Sequence, residues 1–92
     1  MAQVVVTLKI MPASPEADLS LIQTKAEEEI KAFSGETEIK AEIEPIAFGL
    51  KALKLLFVMD EDKGSTEELE NNIKNIESVN SAETVDVRRA VG

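Results

Sequence analysis

A single α+β domain with the element order β-α-β-β-α-β is what the sequence predicts, and three observations carry that expectation. Ninety-two residues are enough to bury one core but not two. Segments of period-two hydrophobicity alternate with segments whose apolar residues recur every three or four positions. Hydrophobic residues make up 43% of the chain and aromatics only 3%. The core must therefore be packed from Val, Ile and Leu, whose burial is worth about 25 cal/mol per Å².

Each element follows in order. Val4, Val6, Leu8 and Ile10 alternate with Val5, Thr7 and Lys9, a β-branched period-two run that predicts a first strand over residues 3–11. "MPASPEAD" breaks it, with Ser14 as an expected N-cap and Pro15 at the first helical position, where no N–H is needed. Leu19, Ile22, Ala26, Ile30 and Phe33 then recur at helical spacing, predicting a helix over about 15–33 that Gly35 ends. From Thr37, Ile39, Ala41 and Ile43 face one way and Glu38, Lys40, Glu42 and Glu44 the other. That strand belongs at an edge, because one whole face is charged and Pro45 cannot donate to a ladder.

After "PIAFG" comes "LKALKLLFVMD", with Leu53, Leu55, Phe57 and Met59 on one face and Ala52, Lys54, Leu56 and Val58 on the other. Being apolar on most of both faces, this strand should be central. Ser65 and Glu68 are spaced as a capping box for a second helix, whose stripe is Leu69, Ile73 and Ile76. "ETVDVRRAV" alternates through Val85 and Val87 into Arg88 and Arg89, a fourth strand. This order is the split βαβ, or ferredoxin-like, arrangement: a four-stranded antiparallel sheet with both helices on one face. The first and third strands are then neighbours, and Val5, Leu56 and Val58 should meet on the uncovered face.

Composition narrows the function. With no cysteine and no histidine, disulfides, thiolate chemistry, imidazole bases and the usual zinc ligands are excluded. A net charge of −8, from 18 acidic and 10 basic residues, is the wrong balance for a phosphate-binding surface, so no direct nucleic-acid partner is expected. RNA readers of this fold also stack bases on sheet aromatics, and the central strands here carry no outward ring. No basic n-region precedes an apolar stretch and no run has the length of a membrane span, so a soluble cytoplasmic protein is expected.

No catalytic or metal constellation stands out. Asp60, Asp62 and Glu68 faintly resemble a calcium loop, but Ser65 falls where such a loop needs glycine, and carboxylates near a helix start are favoured by its partial positive charge. Glu27, Glu28 and Glu29 are consecutive on the first helix, fan around its axis and cannot converge as an acid/base pair. Nucleophile elbows and phosphate-cradling glycine runs are absent from the sequence. Neither an enzyme nor a cofactor is expected.

Two features remain. Phe48 stands beside Gly49 at a turn, where it extends neither flanking hydrophobic pattern. A ring there either folds back as a lid over the helix ends or anchors a partner protein. Arg88 and Arg89, adjacent on a strand, point to opposite faces, and Arg89 is the one that continues the side of Val85 and Val87.

The stretch "PIAFGLKALKLLFVMDED", followed by "STEELENNI", resembles the guanine-nucleotide exchange domain of translation elongation factor 1-beta, most closely over Glu44–Asp62 and more loosely to Arg89. The length and the "VVVTLKIMP" opening resemble the family's short archaeal form. That resemblance implies one exchange domain over residues 1–92, monomeric when free, which speeds GDP release from the GTPase elongation factor 1-alpha without chemistry of its own. It implies that Phe48, Gly49 and Lys51 of the turn contact the GTPase, and that a basic residue near the C-terminal end, Arg89 or Arg88, reaches toward the GTPase's magnesium and phosphate-binding loop. The family's larger members carry lysine where this chain has Ala52 and Arg89, and arginine is planar and bulkier than a compact ammonium. The rival readings are a ferredoxin-like regulatory or ligand-sensing domain that pairs through its sheet and binds a small metabolite between protomers, and a structural or assembly role with the open sheet face buried in a larger complex.

Overall fold

The computed structural model describes residues 2–35 and 37–89. Four strands, β1 (Gln3–Pro12), β2 (Ile39–Pro45), β3 (Lys51–Asp60) and β4 (Val79–Arg89), form one antiparallel sheet in the order β2-β3-β1-β4. Helices α1 (Leu19–Ser34) and α2 (Glu67–Lys74) complete the ferredoxin-like order. Strand β3, apolar on most of both faces, is central as expected, and charged β2 lies at an edge.

One face of the sheet makes the core. Val6, Leu8 and Ile10 of β1 and Leu53, Leu55, Phe57 and Met59 of β3 pack with Ile22, Ala26 and Ile30 of α1 and Leu69 and Ile73 of α2, all with at most 3% exposure. Among the described residues no helix covers the other face. There Val5 pairs directly with Val58 and Thr7 with Leu56, and these side chains are half-buried, so the apolar cluster on the open face is modest.

Helix α1 starts four residues later than the sequence suggested. The carbonyl of Ser14 accepts from the N–H of Ala17 (3.2 Å) and closes a turn around Pro15. The cap is Asp18, whose Oδ1 accepts from the N–H groups of Ser20 (3.0 Å) and Leu21 (3.2 Å). A carboxylate that takes two orphan donors at a helix start outcompetes a serine four positions upstream. Asp18→Ala should cost about 1 kcal/mol and lower the melting temperature by about 4–8 °C, measurable by thermal unfolding. At the other end Gly35, at φ +83°, returns its N–H to Lys31 O (2.9 Å), as expected of the residue that ends α1.

The expected capping box at α2 is replaced by a different arrangement. Ser65 Oγ accepts from the N–H of Glu67 (3.1 Å) rather than pairing reciprocally with Glu68. Thr66 is the N-cap, and its hydroxyl faces Thr84 Oγ1 at 2.7 Å instead of capping the helix. Strand β4 also departs from simple alternation: Asp86 pairs with Thr7 and Thr84 with Leu8, so Val85 is an extra, unpartnered residue, a β-bulge.

Candidate functional site

The β2–β3 connection is a tight hairpin. Pro45 closes β2 opposite Lys51, Ile46 donates to Leu50 O (2.8 Å), and Leu50 donates to Ala47 O (3.1 Å). Between them Phe48 and Gly49 both have positive φ, +60° and +79°, the signature of a type I′ turn, whose twist matches that of the flanking strands. Glycine adopts this conformation freely; for a bulky aromatic it costs of order 1–2 kcal/mol. The turn therefore forces a strained backbone onto Phe48, and the ring gains nothing from the fold in return. It is 94% exposed, so the lid alternative fails.

Local packing fixes where the tip points. A Cβ at Gly49 would lie 3.9 Å from Pro15 Cβ, so the hairpin rests beside the turn that precedes α1, and φ rather than space demands glycine there. Lys51, the first residue of β3, is exposed next to it, and Ile43 and Ile46 add exposed apolar surface on the same hairpin. On the open face just behind, Glu44 Oε2 accepts from Lys54 Nζ at 3.0 Å, and its Oε1 lies 3.5 Å from Lys9 Nζ. This cluster straps the edge strand to both central strands. Its members are far apart in sequence and meet only through the sheet register, so no sequence pattern announces it.

The lysines hold the Glu44 carboxyl below its ordinary pKa, chiefly through the hydrogen bond and charge of Lys54. A carboxylate lowered in the folded state contributes stability above its unfolded pKa and loses it as pH falls through the folded value. Glu44→Gln should therefore reduce the melting temperature at about pH 7, and the difference from wild type should vanish as the solution is acidified below the lowered pKa.

The five residues singled out in the sequence fall into two groups. Phe48, Gly49 and Lys51 share the hairpin end. Arg88 and Arg89 pair with Val5 and Val4, beside the far end of β3. The ten residues of β3 span about 30 Å at a rise of about 3.3 Å each, in a molecule 42 Å long. Arg88 Nε meets Asp86 Oδ2 at 2.9 Å on the open face, and Arg89 Nη2 meets Glu61 Oε2 at 3.5 Å on the helix side. Both side chains are largely exposed. Among the described residues no group of three or more acidic side chains is placed to hold a metal ion, and no helix is long and apolar enough to cross a membrane. A shallow groove beside the open face is lined by Val5, Glu38, Ile39, Lys40, Leu56, Phe57 and Val58.

The model of the EF-1 guanine nucleotide exchange domain matches residues 5–90. The chain belongs to that family. Among curated members of the EF-1 family it is 42% identical over 89 residues to elongation factor 1-beta of Methanothermobacter thermautotrophicus, covering 97% of this chain and 98% of the relative. It is 45% identical over 91 residues to that of Staphylothermus marinus, with the same coverage. Solved structures are more distant. The de novo designed protein Foldit4 matches at a TM-score of 0.62 and 21% identity over 98% of both chains. BlrP1 BLUF matches at 0.55 and 10% identity, over all of this chain and 57% of the other. Those two likenesses speak to the fold alone.

Proposed function

We propose that this domain accelerates the release of GDP from the GTPase elongation factor 1-alpha, so that GTP can rebind during protein synthesis. A nucleotide-exchange role in translation elongation comes with the family; the finer reading rests above all on Phe48, an aromatic ring held outside the fold on a left-handed backbone. Backbone strain without packing in return marks a position kept for something other than stability. Large exposed aromatics are the residue type that dominates protein interfaces.

Exchange needs no catalytic group. A factor that binds the nucleotide-free GTPase more tightly than the GDP-bound form weakens GDP by the same ratio, by linkage. In this reading Phe48 anchors the complex, with Gly49 and Lys51 completing the contact. At the other end of the sheet Arg89 brings positive charge toward the place where the GTPase holds magnesium. Like charges disfavour the metal, and GDP without its metal is less well neutralised. The domain would work in the cytoplasm as a monomer that meets its partner directly, without nucleic acid or membrane.

The test is kinetic. Release of a fluorescent GDP analogue from an archaeal elongation factor 1-alpha should speed up many-fold when the domain is added at catalytic amounts. An unchanged release rate with folded domain would refute the reading.

A further inference from the structure

The outer side of β2 is an open hydrogen-bonding edge, and the bonds at its two ends fix which residues face outward. Just before the strand, the N–H of Val58 donates to the Thr37 hydroxyl (3.4 Å), which in turn donates to Val58 O (3.0 Å). Just after it, Ile46 N–H donates to Leu50 O (2.8 Å). Backbone groups alternate in direction along an antiparallel strand. Between Leu50 and Val58 it is therefore Ala52, Lys54 and Leu56 that bond toward β2, and their partners Glu44, Glu42 and Lys40 that bond back. The N–H and C=O groups of Ile39, Ala41 and Ile43 point away from the sheet, and Pro45, next in line, has no N–H to offer. The opposite edge differs: the pairing of β4 is interrupted by two register shifts, irregularities that discourage a further strand, whereas β2 pairs with β3 without a shift.

Side chains along this edge are complementary to themselves. A second copy adding antiparallel about a two-fold axis at Ala41 would place Lys40 of each copy opposite Glu42 of the other, and Ile39 opposite Ile43. Ile39, Ala41 and Ile43 would all find hydrogen-bonding partners, while the charged pairs take the non-hydrogen-bonded positions, where facing Cα atoms are about 4.5 Å apart and side chains are closest. Moving the axis to Lys40 sets lysine against lysine, and moving it to Glu42 sets glutamate against glutamate, both destabilising. An axis at Ile39 or Ile43 leaves most of the outward groups unpaired. Glu38 would fall opposite Glu44, but Glu38 precedes the strand and the charge of Glu44 is compensated by Lys54 and Lys9.

These groups are accessible in the free domain. Ile43 is 57% exposed, Ala41 is exposed, and Lys40 Nζ and Glu42 Oε2 lie 3.9 Å apart in an exposed pair that can exchange partners across the axis. So short an edge buries less than the roughly 1,200 Å² of a stable interface, so the association is weak, with monomer prevailing at micromolar concentration and dimer at millimolar.

We propose that the β2 edge is a self-association site: two free domains pair antiparallel about Ala41 into one continuous sheet, with Lys40 of each facing Glu42 of the other. This pairing lies outside the exchange reading, which concerns the monomer present at catalytic amounts.

Sedimentation equilibrium over a concentration series tests it. The apparent mass of wild type should rise from monomer toward dimer. Lys40→Glu and Glu42→Lys should each weaken self-association about tenfold or more, because two attractive pairs become two repulsive ones. An equimolar mixture of the two variants should associate as wild type does, since unlike copies restore opposite charge at every facing position. Ala41→Pro removes an N–H that has no acceptor within the sheet, so the domain should stay folded while dimerisation is lost. Wild type that remains monomeric at millimolar concentration overturns the proposal. So do single charge variants or Ala41→Pro that associate as wild type does, and a mixture that stays monomeric. No GTPase enters the experiment, so its failure leaves the exchange reading standing.

Discussion

Phe48→Ala is expected to reduce the domain's stimulation of GDP release about 30-fold at subsaturating concentration, the effect of losing an interface anchor worth about 2 kcal/mol. The melting temperature should stay close to wild type, since a ring that is 94% exposed contributes little to the core. A companion substitution separates the two properties further. Phe48→Asn places at the first central position of a type I′ turn a residue that tolerates positive φ. It should raise stability by about 1 kcal/mol while reducing exchange as alanine does. Thermal unfolding and stopped-flow release of labelled GDP check both halves.

Phe57→Ala is expected to have the opposite profile. Nine residues along the chain, this phenylalanine is 1% exposed and packs among Leu8, Leu55 and the helix residues of the core. Truncating it removes apolar contacts and leaves a cavity, at a cost of about 3–5 kcal/mol. Against the 5–15 kcal/mol typical of a whole domain that is a large share, and for a chain of this length it lowers the melting temperature by roughly 12–40 °C. Exchange activity per folded molecule, measured well below the new transition, should be retained. A Phe57→Ala protein that is stable but inactive would place that ring in the interface instead of the core.

The contrast between these two rings marks how far the sequence can be read. Phe57 falls on the period-two pattern of β3, and that pattern alone assigns it to the core beside Leu55 and Met59. The strand order follows the same logic, because β3 is apolar on most of both faces and β2 is charged on one. Phe48 obeys no period. Hydrophobicity leaves its fate open, and the left-handed backbone that pushes the ring outward is a property of the two-residue turn. "AFGL" between two strands, with glycine second in the pair, was the available signal.

Where the sequence misled, competing local options were the cause. Ser14 followed by Pro15 is a plausible helix start, yet Asp18 captures two backbone donors and takes the role. Ser65 and Glu68 have capping-box spacing, but Thr66 is drawn away to Thr84 and the start of α2 settles differently. The bulge at Val85 is invisible to periodicity, because Val85 and Val87 alternate whether or not one of them is unpartnered. The strap of Lys9, Glu44 and Lys54, like the bond from Glu70 to Thr84, joins residues from separate elements and exists only once the register is set.

Separation of the hairpin from the arginines along the sheet gives the two ends different kinetic roles in the proposed mechanism. An anchor governs how much domain is needed, whereas a charge acting on the GTPase's metal governs how fast the saturated complex releases GDP. The most direct measurement is therefore the GDP release rate as a function of domain concentration for wild type, Phe48→Ala and Arg89→Ala. Phe48→Ala should reach the wild-type plateau at a concentration about 30-fold higher, and Arg89→Ala should half-saturate where wild type does but plateau lower. Superimposable curves for all three proteins would contradict an exchange mechanism built on these two ends.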